Sequence, residues 1–174
     1  GIEPEKIMVA TFTEKAASEL ITRISNRLLE LDLKVNLNEM WVRTLHSLFL
    51  RILDEHREYT RLKSNYRLLD QFEQRYFIYR KIKAFQASKD VGHLLNLGKT
   101  NAWTQAEVVV SYVNKVSEEL LDVEALKEDD DEAVAAIGYL YEVYQQMLVD
   151  ENALDFSTIQ VEAFRLLEAN PEVL

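Results

Sequence analysis

The sequence has 174 residues, 48% of them apolar, enough for a real hydrophobic core in a chain the size of one ordinary domain. It has no cysteine, which excludes disulfides, thiolate metal sites and cysteine nucleophiles, and neither an apolar run near the roughly 18 residues of a membrane span nor a signal peptide is visible, so a soluble, cytoplasmic protein without membrane contact is expected. The net charge of -10 is uneven: residues 1–40 carry five basic and seven acidic side chains, 41–90 eleven and six, and 91–174 four and seventeen, so a basic segment is embedded in an acidic chain and the overall balance does not exclude nucleic acid.

Only four glycines and two prolines punctuate the chain, while Leu, Glu, Ala and Val are plentiful. That composition predicts a mainly α protein. Ile7–Phe12 is a short apolar run that reads as a buried parallel strand. Thr13 is placed to cap the helix that follows, whose Ala17, Leu20, Ile21, Ile24, Leu28 and Leu31 fall on one stripe. Residues 34–39 read as a loop, Met40–Thr44 as a second strand, and Leu45–Glu58 as a second amphipathic helix using Leu48, Phe49, Ile52 and Leu53.

A basic and aromatic helix is expected from Asn65 to about Phe85, then a break or short helix over Ser88–Gly98. Thr104 with Glu107 three residues on predicts a capping box opening a helix to Leu121. The acidic run KEDDDE at 127–132 reads as a solvated loop or helix start. Helices follow over Ala133–Val149 and Asp155–Ala169, with Asp155 as the cap of the last and Asp155–Phe156 a structural junction. One or two strands at the front and helices thereafter describe a helical subdomain attached to part of an α/β domain, because one strand pair does not make a free-standing sheet.

Two short matches to nucleotide-binding motifs fail on context. LGKT at 97–100 resembles the end of a phosphate-binding loop, but the first glycine of G-x-x-x-x-G-K-[ST] would sit at position 93, which is His93. LVDEN at 148–152 resembles a strand ending in a magnesium-binding Asp-Glu, yet it closes a helical pattern, and Asp150 and Glu151 read as a solvated helix end. A stand-alone NTPase built on Lys99 and Asp150 would need both matches to be real.

Three other segments, in order, carry a shared pattern: VATFTEKAASELITRI (9–24), VRTLHSLFLRIL (42–53) and ENALDFSTIQVEAFRLL (151–167). They resemble TFTxxAAxEMxxRI, T-F-H-S with its apolar helix, and L-D-F-x-D-L of the UvrD/Rep/PcrA group of superfamily-one DNA helicases, with their RecB and AddA relatives. The resemblance implies that Thr11, Phe12, Thr13 and Lys15 contact single-stranded DNA, and that Thr44, His46 and Ser47 do so at the second strand end. Helix N-termini attract phosphate, hydroxyls hold it without reading sequence, and an aromatic ring can stack on an unpaired base. Local capping by Thr13 and core packing of Phe12 would explain the same residues without DNA. In the basic segment, Arg75, Tyr79 and Lys83 share a helix face that could line a groove for DNA backbone, or a solvated face.

The pattern is not followed everywhere. Glu14 stands where the group commonly has Asn, Leu45 where it has Phe, and Ser157–Thr158 where x-D is expected. The group's phosphate-binding loop, its D-E-x-Q-D metal motif and its second RecA-like domain have no counterpart here. The expectation is therefore a fragment: residues 1–50 from a RecA-like (P-loop) domain, 51–150 an inserted helical subdomain, and 151–174 a return segment. It would hydrolyse no ATP and hold no cofactor, with ATP and Mg belonging to a longer 3′-to-5′ helicase of DNA replication or repair. Expected partners are single-stranded DNA, a duplex junction and the remaining helicase domains, and exposed strand edges could pair copies of the fragment artefactually. The rival expectation is a helical protein-interaction module working through its acidic half.

Overall fold

The computed structural model describes residues 2–88, 91–95 and 100–173; Gly98 and Lys99 of the LGKT match lie outside them. The described chain is mainly helical with short parallel strand pairs, and it divides into two compact units, residues 1–55 and 56–174.

In the first unit β1 (Met8–Thr11) pairs in parallel with β2 (Trp41–Thr44), with Met8 opposite Trp41 and Thr11 opposite Thr44. The two strands read from the sequence thus form a parallel pair. Their burial is less than a continuous apolar run suggests: Met8 is 63% exposed. Helix α1 (Glu14–Glu30) follows β1 and α2 (Leu45–Glu55) follows β2. On α1 the expected stripe is in place but only Ala17 is fully buried, with Leu20, Ile21, Ile24 and Leu28 half-buried. Leu31 lies past the helix end and is exposed, as the chain turns through Asp32 at φ 53°. The second helix stops at Glu55, and Arg57–Tyr59 form a separate 3-10 turn.

The second unit departs from expectation at its entry. Residues 65–70 are not helical: Arg67–Leu69 form β3, which pairs in parallel with β4 (Ala153–Asp155). Helix α3 (Gln71–Ala87) begins only after Asp70, whose carboxylate accepts from the Glu73 N–H while Glu73 accepts from the Asp70 N–H. That reciprocal cap fixes the strand-to-helix corner. Short α4 (Gly92–Leu95) precedes α5 (Ala102–Glu118), which Asn101 caps by accepting from the Thr104 N–H. The Thr104–Glu107 box is thus displaced by one turn, and Glu107 instead meets Arg75.

Within the acidic run, Asp131 caps α7 (Glu132–Asp150), after α6 (Val123–Lys127). Gly138 of α7 lets α6 lie close, since a Cβ there would stand 2.8 Å from Lys127 Cγ. The core is built from one face each of α3, α5 and α7, with Phe77, Phe85, Val109, Leu140 and Leu148 among its members.

Asp155 ends β4, caps α8 (Phe156–Ala169) and is 2% exposed. Its Oδ1 accepts from the Thr158 N–H at 2.8 Å, and Thr158 Oγ1 accepts from the Asp155 N–H at 2.8 Å. Its Oδ2 accepts from Gln74 Nε2 on α3 at 3.1 Å and from the Tyr144 hydroxyl on α7. Gln74 reaches Asn114 Oδ1 on α5 at 2.8 Å. One carboxylate thus joins α3, α7 and α8 to β4, and Gln74 extends the network to α5. Burial first, then the neighbouring Asp155 charge, holds the Tyr144 phenol well above its ordinary value of 10.0. Burial likewise raises Tyr141.

Two outcomes follow. Asp155→Ala removes a helix cap and strands the buried Tyr144 hydroxyl donor, so chemical denaturation should show the second unit weakened by about 3 kcal/mol. A phenol whose folded pKa is raised contributes stability below the unfolded value and loses it as pH climbs past 10.0 toward the folded value. Circular dichroism should therefore show the unit melting above that pH together with the appearance of phenolate absorbance, and less steeply in Tyr144→Phe.

Candidate nucleic-acid interface

Two surfaces hold the residues singled out in the sequence, one in each unit. In the first, both strands end on threonine at the same level, and both following helices start there. Thr13 Oγ1 accepts from the Ala16 N–H at 3.1 Å, while Thr11 Oγ1 donates to the Thr13 carbonyl at 3.1 Å. Buried Thr44 Oγ1 accepts from the Ser47 N–H at 3.2 Å and lies 2.7 Å from Ser47 Oγ. These hydroxyls are engaged in capping. A cap satisfies one of the donors at a helix start, and the first-turn N–H groups of Glu14 and Lys15 on α1 have no intrahelical acceptor.

Phe12 lies between β1 and α1 and is 92% exposed. It is not core. Lys15 is exposed beside it, and His46 is half-buried at the start of α2. Glu14 stands at the first position of α1 and accepts from Ser47 Oγ at 3.4 Å, so a carboxylate bridges the two helix starts. The helix dipole favours it there, and it occupies ground that would also suit a phosphate. The structure thus brings Thr11, Phe12, Thr13, Lys15, Thr44, His46 and Ser47 into one unit at one sheet end.

On α3 the second group is drawn together differently. Arg75 Nη2 donates to Glu107 Oε2 on α5 at 2.6 Å, and its guanidinium sits over the Trp103 ring, 4.4 Å from the centroid. Tyr79 meets the same ring edge-on at 5.5 Å. Lys83 is exposed one turn further along. Much of the basic segment is ion-paired within the unit: Arg61 with Glu162 at 2.8 Å, Arg67 and Lys81 with Glu151 at 3.8 and 2.5 Å. Sequence reading gave Trp103 no role. Its signal was position, one turn of helix before Glu107, once Asn101 rather than Thr104 is taken as the cap.

The LVDEN lookalike does not have the geometry of its motif. Asp150 ends helix α7 and accepts from Gln146 Nε2 at 2.8 Å, and Glu151 holds Arg67 and Lys81. A magnesium-binding Asp-Glu would stand at a strand end, so these two acids do not fit that group. No helix among the described residues is long and apolar enough to cross a membrane.

A sequence model of the UvrD/REP helicase N-terminal domain matches residues 1–174. The chain is 29% identical to the ATP-dependent DNA helicase SRS2 of Saccharomyces cerevisiae, over 95% of this chain and 15% of that protein. It is 28% identical to the ATP-dependent DNA helicase UvrD1 of Mycobacterium tuberculosis, over 99% and 21%, and 27% identical to the ATP-dependent DNA helicase PcrA of Staphylococcus aureus, over 99% and 22%. The chain therefore spans about a fifth or less of the length of these curated relatives.

Proposed function

The chain belongs to the UvrD/REP helicase N-terminal domain family, and we propose that it supplies the strand-gripping surface of an ATP-dependent DNA helicase rather than its ATP-hydrolysing centre. The observation that carries this reading is Phe12: a ring 92% exposed where β1 of a parallel strand pair turns into the N-terminus of α1. Ligands of parallel sheets gather at strand C-termini, and nothing in local packing requires an aromatic residue there.

In this reading a DNA phosphate sits over the first turns of α1 and α2, held by backbone N–H groups and by Lys15, while Phe12 stacks on the adjoining base. Thr11, Thr13, Thr44 and Ser47 keep those N–H groups aimed, and His46 adds a donor beside the strand. Contacts of this kind grip any sequence, as a translocating enzyme requires. Arg75, Tyr79 and Lys83 on α3 face the duplex junction. Residues 1–50 and 151–174 are arms of the RecA-like domain and 51–150 the inserted helical subdomain, with hydrolysis of ATP assigned to residues outside these surfaces.

The test is fluorescence anisotropy of a labelled single-stranded oligonucleotide titrated with the chain at several salt concentrations. Binding should weaken steeply with salt and fall about tenfold in Phe12→Ala; salt-insensitive binding, or binding indifferent to Phe12, would sink the grip. Glu14→Gln removes a negative charge from the phosphate track. It should tighten binding at low salt by about two- to fivefold, with the gain disappearing as salt screens it.

A further inference from the structure

Helix α3 carries an exposed aromatic stripe on the side away from the core. Phe72 is 66% exposed and Tyr76 is 47% exposed, and their rings lie parallel within 4° at a centroid separation of 6.3 Å. Tyr79 continues the stripe 6.3 Å beyond Tyr76, and Trp103 supports Phe72 from behind at 5.9 Å. Beside Phe72 and Tyr76 opens a cleft of about 430 Å³, walled by Arg67, Glu73, Arg80, Lys81 and Glu151. That volume falls within the range of small-ligand sites, about 300–1,000 Å³.

Exposed rings gathered side by side, rather than scattered singly, mark a contact surface, and the chemistry around them narrows the partner. Glu151 neutralises part of Arg67 and Lys81, whereas Arg80 is exposed with no ion pair among the described residues. With Glu73 as a second carboxylate the wall still carries a surplus of one positive charge, and Arg80 is the cation left to face a ligand. Aromatic faces flanked by cations suit a ligand with flat faces and spaced negative charges. A duplex hides its base faces, and a peptide lacks the phosphates.

We infer that Phe72 and Tyr76, with Arg80, form a second DNA site, which takes an unpaired nucleotide: its base stacks against the two rings and its phosphate lies on Arg80. The site is separate from the Phe12 surface and lies wholly within residues 56–174. It rests on the reading of this chain as a DNA-gripping element and extends it, because a strand would then be held at the inserted subdomain as well as at the sheet end. The side chains differ from Arg75, Tyr79 and Lys83, of which the first two are engaged with Trp103.

The experiment uses the full chain and a single-stranded oligonucleotide carrying 5-iododeoxyuridine, irradiated after binding, with the adducts mapped by mass spectrometry. Adducts are expected on Phe72 or Tyr76 and should persist in Phe12→Ala. Phe72→Ala with Tyr76→Ala should abolish them and weaken binding about tenfold, while an oligonucleotide with abasic sites should bind both proteins equally. Arg80→Gln should lower the slope of log affinity against log salt by about one. Because Phe72, Tyr76 and Arg80 are exposed, thermal melts of these variants should match the parent chain. Adducts confined to residues 1–55, or an equal loss of affinity for the abasic strand, would overturn this second site and leave the Phe12 grip standing. Absence of any binding at low salt would overturn both.

Discussion

Residues 56–173 depend on a buried carboxylate. Asp155 leaves water and remains stable there because each carboxylate oxygen accepts hydrogen bonds: Oδ1 from the Thr158 N–H at the start of α8, Oδ2 from Gln74 and Tyr144. A buried acid without those donors would be strongly destabilising. With them it becomes a fixed point that sets the position of α3, α7 and α8 relative to β4. Apolar packing around Phe77, Leu140 and Leu148 supplies most of the driving force but is non-directional. The polar network selects one arrangement of these helices from the many that packing alone would permit.

The first unit shows the opposite economy of burial. Its helix α1 is amphipathic yet largely half-covered, and its aromatic residue at the strand end lies in water. What is well defined there is the backbone: a parallel register that ends on paired threonines, and caps that hold two helix starts open at the same level. Such a surface is suited to a ligand that presents regular charge and no fixed sequence. Glu14 tempers it, since its carboxylate bridges the very N-termini that an incoming phosphate would use.

The strongest sequence signals were those with a local physical cause. Thr13 capping α1 and Asp155 capping α8 were legible because a short polar side chain before an apolar-periodic run has few other uses. The strands β3 and β4 were not, since three residues give no period to detect and each depends on a partner over eighty residues away. The corner at Asp70 carried a readable signal, an acid followed three residues later by glutamate. It was hidden by the Leu-Leu pair before it, which continues a helical pattern equally well. At Asn101 two overlapping caps competed, and the earlier one prevailed, bringing Trp103 beneath Arg75. The basic segment was visible as composition, but which of its cations stay unpaired depends on Glu107, Glu151 and Glu162, all distant in sequence.

Asn152 has a wider consequence. In left-handed backbone at φ 47°, it accepts from the Lys63 N–H through its side chain at 3.0 Å and from the Arg67 N–H through its carbonyl at 2.9 Å. The stretch between these residues is thus a loop in the topological sense, leaving and returning at one stitched point. The segment so closed carries α3, α5 and α7, so the core of the second unit is assembled inside a span whose two ends are held together by one residue.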